Sequence, residues 1–350
     1  MGIQQNNKTI IIAEAGVNHN GNIDYAKKLI DVASDAGADY VKFQTFKADK
    51  IVSKNAKKAE YQIVNSKDND SFQYDMLKSL ELNDNDHHEL IKYCNKKNIK
   101  FLSTAFDVEG LDYLNSLGLE LFKIPSGEIT NYPYLNKIAS IGKPVILSTG
   151  MSEMHEIRSA LKILKSGTIS NDNIIILHCN TDYPTQMKDV NLKAMIDIKN
   201  EFKVNIGYSD HTLGTEVPIA AVALGATVIE KHFTLDRNMS GPDHAASLEP
   251  IELLNMVKAI RNIELAFSGS GLKEPSKSEL KNITIARKSI HLSKDLLSGS
   301  IITEQDIIPL RPGDGICSMN WEGIIGKKIN KNLKKYSKLS WEDFSWKLEF

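Results

Sequence analysis

Residues 205–244 read NIGYSDHTLGTEVPIAAVALGATVIEKHFTLDRNMSGPDH. Two short apolar runs, 205–211 and 228–234, each carry a histidine at their end: Ser209-Asp210-His211 and Glu230-Lys231-His232. Between them 215–226, rich in Ala, Val and Leu, is long enough for one helix. The pattern is strand, helix, strand, with polar groups at both strand ends. In a parallel α/β fold the strand C-termini face one side, and that side carries the site. Two imidazoles from neighbouring strands then meet over one point, where they suit a divalent transition metal and leave coordination positions open. The competing reading is two hydrogen-bonding core histidines, since a single His is weak evidence. Asp243 lies just beyond, and no tight His-x-x-x-His spacing is present, so the choice rests on the rest of the chain.

Working outward, the same rhythm repeats. Strands are expected at 8–16 (KTIIIAEAG), 39–46 (DYVKFQTF), 100–106 (KFLSTAF), 121–127 (LFKIPSG), 144–150 (PVILSTG) and 173–180 (NIIILHCN). They are nearly continuous apolar runs, as strands buried on both faces should be. Amphipathic helices are expected at 24–36, 83–98, 111–117, 131–140, 153–165, 191–201 and 250–267, besides 215–226. Eight strands alternating with eight helices predict a (β/α)8 TIM barrel over 1–268. A doubly wound sheet is the competitor, but no Gly-x-Gly-x-x-Gly follows the first strand; Val17-Asn18-His19-Asn20-Gly21 stands there instead.

Polar residues then collect at the strand ends: Glu14, Lys42, Gln44, Ser103, Thr104, Lys123, Ser126, Ser148, His178, Ser209, His211 and His232. A lysine is rarely buried without an anion, so Lys42 and Lys123 inside strands, with three serines at similar depth, make a cradle for a phosphate and a carboxylate. Glu14 either balances a lysine or handles a proton or hydroxyl. The stretch 47–80 reads as a long polar insertion with little periodicity. From 269 to 284 the composition reads as a linker, and 285–350 as a small β-rich domain with turns at Ser298-Gly299 and Arg311-Pro312-Gly313. Arg311 is either a solvated surface residue or a reach toward an anion or sugar hydroxyls; the tail 321–346 carries partial helical signal.

Bulk numbers bound the rest. Apolar residues make up 41% and charged residues 25% of 350, with a net charge of -1, which gives no reason to expect nucleic acid or an anionic membrane as partner. No apolar run reaches the length of a spanning helix, and 1–16 lack the basic head and cleavable apolar stretch of a leader. Met1-Gly2 is discounted as a myristoylation signal because Asn6 and Asn7 fill the region where Ser or Thr is wanted. Cys94, Cys179 and Cys317 are odd in number and far apart, which fits a reducing cytoplasm.

IIAEAGVNHNG, VKFQTF, FLSTAF, FKIPSGEITNYP, ILSTGM, GYSDHT, IEKHFT and SGPDHAASLEP, in this order, resemble the successive strand-end motifs of the bacterial sialic acid synthases. ITEQDIIPLRPGDGI resembles their C-terminal antifreeze-like (SAF) domain. The resemblance spans nearly the whole chain. It implies that His211 and His232 bind a divalent metal, manganese or magnesium. It implies that Lys42, Lys123, Ser126, Ser148 and Ser209 hold phosphoenolpyruvate, and that Glu14, Gln44, Thr104, Tyr183 and Asp243 line the sugar site. It places Arg311 in the barrel of a partner chain, in a domain-swapped homodimer. Two places depart from the family pattern. Asn180-Thr181 follows the His-Cys of the sixth strand, where Thr-Asn or Thr-Ser is usual, and Tyr336-Ser337 stands near a turn where the family often has Gly.

The implied reaction joins phosphoenolpyruvate to an N-acetylmannosamine-type sugar, with water, to give N-acetylneuraminate and phosphate. The metal is the Lewis acid on the sugar aldehyde, with His211, His232 and Glu14 as catalytic residues. An alternative is a legionaminate synthase using 2,4-diacetamido-2,4,6-trideoxymannose. A pseudaminic acid synthase is disfavoured by the first motif. A catalytically dead sugar-binding or assembly protein is the alternative of another class, and the presence of both histidines and both lysines argues against it.

Overall fold

The computed structural model describes residues 8–58, 63 and 72–345. It divides into two compact units, Met1–Ser268 and Gly269–Phe350. The readings made on 1–7, on most of 59–71 and on Trp346 onward lie outside the described residues.

The first unit contains eight parallel strands: β1 Ile10–Gly16, β2 Tyr40–Thr45, β3 Lys100–Ala105, β4 Phe122–Ile124, β5 Val145–Ser148, β6 Ile174–Cys179, β7 Asn205–Asp210 and β8 Val228–His232. Their order is β3-β2-β1-β8-β7-β6-β5-β4. β3 and β4 lie side by side without a ladder of hydrogen bonds, so the ring is a nearly closed TIM-type barrel. Pro125 ends β4 early: it has no N–H to give a ladder, and Ser126–Glu128 turn into a 3-10 helix in place of the expected strand end.

The helices sit where their apolar stripes require. In Ile23–Asp35, Ala26, Leu29, Ile30 and Ala33 are buried on one face, and Asn22 caps the start by accepting from the N–H groups of Asp24 and Tyr25 at 2.8 and 3.1 Å. Each fully buried Leu or Ile contributes about 1.5–3 kcal/mol, so register within the ring is strongly set. Asp39 closes the opposite end of the barrel: its Oδ2 accepts from the Ile11 N–H at 2.8 Å and from Arg261 at 2.9 Å.

Two sequence expectations are corrected. The stretch 47–80 is not featureless: Ala48–Ile51 and Gln73–Ser79 are helices, and Lys57 bridges Phe72. Ile51, Met76, Leu77 and Leu80 pack with Val17, Phe46 and Phe106 as a separate apolar cluster. These helices are too short to show a period amid the charges. The stretch 269–284 is not wholly irregular: it holds most of the helix Lys277–Ala286, started by a reciprocal Ser276–Glu279 capping box.

The second unit is built around an antiparallel pair, β9 Ser289–Leu292 and β10 Ile307–Leu310, and isolated bridges such as Leu296–Leu333 and Ile329–Phe344. Its core gathers Ile290, Leu292, Ile302, Ile324, Ile329 and Leu339. Among the described residues of its tail, helix is confined to Trp321–Ile324 and the 3-10 turn Trp341–Asp343. No helix among the described residues is long and apolar enough to cross a membrane.

Candidate active site

A cavity of about 590 Å³ opens at the C-terminal ends of the barrel strands. Its floor follows from strand alternation. Side chains along a strand point to opposite faces, so Lys42 and Gln44 of β2, Ser209 of β7 with His211 after it, and Glu230 and His232 of β8 fall on the inner face and line the cavity. Glu14, Thr104, Lys123, Ser126, Ser148, Tyr183 and Asp243 join them. The candidate residues of the barrel therefore meet in one place, with two exceptions. Ser103 and His178 face the helix layer, where Ser103 bonds Thr45 at 2.6 Å and His178 donates from Nε2 to the Val190 carbonyl at 3.0 Å. Arg311 belongs to the second unit, is exposed, and donates from Nε to the Ala286 carbonyl at 2.9 Å.

The end of β1 is bent to serve the site. Between Glu14 and Gly16 the register with β2 slips by a bulge, and Gly16 takes φ +52. A Cβ on Gly16 would stand 3.4 Å from Glu14 Oε1, Gln44 Nε2 and His232 Cε1 alike, so this glycine marks where the three side chains converge.

The two strand lysines are not free. Lys42 Nζ lies 3.3 Å from Glu14 Oε2 and 3.1 Å from Glu230 Oε2, and Lys123 Nζ lies 3.3 Å from Glu230 Oε1. Ser209 donates to Glu230 at 3.0 Å, and Lys42 donates to Thr104 Oγ1 at 3.1 Å. Glu230 is the central anion, and sequence reasoning passed over it. The signal was present, because alternation along 228–232 puts Glu230 on the face of His232.

Burial drives the charge states apart. It raises the Glu14 carboxyl to about 8, with Lys42 opposing and the Glu230 charge assisting. Glu230 feels the same burial penalty, but Lys123 and Lys42 outweigh it and hold the carboxyl below its ordinary range. Lys42 is likewise penalised by burial, yet Glu14 and Glu230 raise it, whereas burial leaves Lys123 lowered. Near neutrality the cluster therefore holds a protonated Glu14, an ionised Glu230 and a charged Lys42, with Lys123 beside them as a further donor toward an anion.

Burial also holds His211 down at about 4 and His232 well below the ordinary value, so both rings are neutral, as metal ligands must be. His211 Nδ1 donates to the Asn180 carbonyl, which leaves its Nε2 with a free lone pair. His232 Nδ1 is buried without a hydrogen-bond partner and lies 3.9 Å from Asp243 Oδ2; burial raises that carboxyl to about 6. The ring centroids are 5.5 Å apart. Metal–nitrogen bonds of about 2 Å put the centroids of two rings sharing one ion roughly 4.5–5.5 Å apart. The donors thus fit a divalent ion, although no group of three or more His, Cys, Asp or Glu is arranged for one among the described residues. Tyr183 packs against the His211 ring, centroids 4.1 Å apart, and stands edge-on to His232.

On another wall the Gly150 N–H donates to Ser126 Oγ at 2.9 Å, and Thr181 lines the cavity. A Cβ at Gly150 would fall 2.5 Å from Thr181 and 2.9 Å from Ser126, so only glycine permits this approach. Of the departing Asn180-Thr181 pair, the first anchors His211 through its carbonyl and the second faces the cavity. Val17, Phe46, Ile51, Met76, Leu77 and Phe106, which cluster together, supply an apolar part of the cavity wall, with Lys50 and Gln73 of the same short helices beside them.

The NeuB family model matches residues 29–273, and the SAF domain model matches residues 287–345. The N,N'-diacetyllegionaminic acid synthase of Campylobacter jejuni is 55% identical over 328 residues, covering 94% of this chain and 98% of that protein. The enzyme of the same name from Legionella pneumophila is 49% identical over 334 residues, 95% and 93% of the two chains. Among solved structures, the N-acetylneuraminic acid (sialic acid) synthetase of Leptospira borgpetersenii in complex with citrate superposes with a TM-score of 0.70 at 36% identity, covering 81% of this chain and 95% of that one.

Proposed function

The chain belongs to the NeuB family, and from that premise we propose that it joins phosphoenolpyruvate to 2,4-diacetamido-2,4,6-trideoxymannose, giving N,N'-diacetyllegionaminic acid and phosphate. It is a phosphoenolpyruvate-dependent synthase that forms a carbon–carbon bond. The observation that carries the choice of sugar is the 55% and 49% identity to two legionaminic acid synthases, against 36% to a sialic acid synthetase. N-acetylmannosamine, the acceptor put first from sequence, gives way on that ground. The apolar part of the cavity wall supports the same choice. The trideoxy sugar carries a methyl at C6 where N-acetylmannosamine carries a hydroxyl, and Ile51, Met76 and Leu77 offer a methyl its preferred surroundings.

In the reaction the methylene carbon of phosphoenolpyruvate bonds to the sugar aldehyde carbon, and the aldehyde oxygen gains a proton. Water adds at C2 of the former enol, and the C2–O bond to phosphate breaks. Lys123, Ser126, Ser148 and Ser209 hold the phosphate and carboxylate together with Lys42, preorganised charge facing charge. Glu230 keeps the two ammonium groups side by side before the substrate arrives. Glu14, with Gln44, Thr104, Tyr183 and Asp243, faces the sugar, and as a protonated carboxyl Glu14 is a proton donor to a sugar oxygen. His211 and His232 would hold a manganese or magnesium ion, which supplies Lewis-acid polarisation of the sugar carbonyl. Arg311 reaches the sugar site of a partner in a swapped homodimer; its exposure within its own unit supports that role.

The test is kcat/KM for each acceptor at saturating phosphoenolpyruvate, with the product identified by mass. The trideoxy sugar should lead by about 10–100-fold, the scale on which an apolar wall separates a methyl from a hydroxyl. A preference for N-acetylmannosamine overturns the choice of acceptor.

A further inference from the structure

The ladder between β7 and β8 pairs Ser209 with Glu230 and Asp210 with Lys231. The first pair faces the cavity. By alternation the second faces the helix layer, where barrel strands ordinarily bury apolar side chains. Asp210 and Lys231 are instead both wholly buried, with Lys231 Nζ 2.5 Å from Asp210 Oδ2. Lys231 Nζ also donates to the Thr212 carbonyl. Asp210 Oδ1 accepts from the Thr212 N–H at 3.1 Å and from its hydroxyl at 2.9 Å. His211 thus sits between two residues bound to the same ammonium. Its own carbonyl accepts from the Thr185 N–H at 2.8 Å, and its ring is anchored on Asn180. The lysine that makes the tie immediately precedes His232.

A buried ion pair adds little net stability over an apolar pair of similar volume, and its best attested use is to fix register. We propose that Asp210 and Lys231 form a clamp that sets the separation and facing of His211 and His232. Lys231 is a positioning residue: neither it nor Asp210 lines the cavity. A strand here with apolar residues in their place would keep the barrel but leave the turn after β7 free to move one imidazole relative to the other. The inference rests on reading the two histidines as a metal pair.

The test is manganese binding to the full, substrate-free chain, followed by the electron paramagnetic resonance signal of the free ion, with folding checked by circular dichroism. The variants are Lys231→Met, which strands a buried carboxylate, and the double variant Asp210→Asn/Lys231→Met, which removes both charges. Asp210→Asn alone serves where those two do not fold. The manganese Kd should rise by about 10–100-fold in the folded variants, the usual cost of losing support behind a ligand, while the phosphoenolpyruvate Kd moves by less than about threefold. A folded variant with wild-type manganese affinity overturns the clamp and leaves the metal pair standing. A wild-type chain that binds no manganese overturns the metal reading, and the clamp with it.

Discussion

Glu230 lies between two lysines, its Oε2 3.1 Å from Lys42 Nζ and its Oε1 3.3 Å from Lys123 Nζ, with all three side chains at most 5% exposed. Removing the carboxylate leaves two buried ammonium groups facing each other. Glu230→Gln should cost about 3–5 kcal/mol of stability in the substrate-free protein, the scale of breaking a buried pair on one side. Glu14 should lose its proton at lower pH to take over the missing charge. Denaturant unfolding checks the first expectation, and a carboxyl-carbon NMR titration of Glu14 the second. An unchanged midpoint would mean that the lysines do not need this anion.

Glu14 also sets a pH dependence. Its carboxyl titrates at about 8 in the fold, against 4.5 for a free glutamate. Between those values the unfolded chain has released a proton that the folded chain still holds. Stability from this group is complete below the lower value and is lost as pH rises through the upper one. In chelator-treated protein, wild type should therefore lose stability relative to Glu14→Gln from pH 5 to pH 9. Parallel curves for the two proteins would show that Glu14 is ionised in the fold. The same variant should collapse turnover while phosphoenolpyruvate binding survives.

The barrel was legible because its strands are near-continuous apolar runs, with amphipathic helices between them. The floor of the site was legible for the same reason: Lys42, Lys123, His211 and His232 interrupt runs that otherwise exclude polar groups. The inward facing of Glu230 was legible from alternation, but its partners were hidden by distance along the chain. They come from β2 and β4, neither of them a neighbour of β8 in the sheet, and only the curling of the sheet into a ring brings the three together across its interior. Asp210 and Lys231 were hidden by direction: they face outward from the ring, and a strand's sequence does not show that two outward charges will pair beneath the helices. Ala48–Ile51 and Gln73–Ser79 escaped notice because a helix of one or two turns shows no period.

Tyr336 takes φ +68, the left-handed region that favours glycine. Its side chain is exposed and packs only loosely, with Lys335 Nζ 4.8 Å from the ring centroid. A non-glycine residue in this region costs about 1–2 kcal/mol, partly offset by the greater freedom of glycine in the unfolded chain. Tyr336→Gly should thus raise the unfolding midpoint of the second unit slightly. A fall of several degrees would point to a contact made by the ring.

Arg311 distinguishes a chain that works alone from one that works as a swapped pair. Arg311→Ala should weaken use of the sugar, seen as a raised KM, while the barrel keeps its fold and its phosphoenolpyruvate affinity. Full activity of a chain truncated after Phe267 would contradict the swapped arrangement.

Phosphate release tests the central claim most directly, measured with phosphoenolpyruvate and the trideoxy sugar added separately and together, before and after chelation. The account predicts release only when both are present, one phosphate per sugar acid formed, lost on chelation and restored by manganese. Release from phosphoenolpyruvate alone at the same rate, or unimpaired release after chelation, would contradict it.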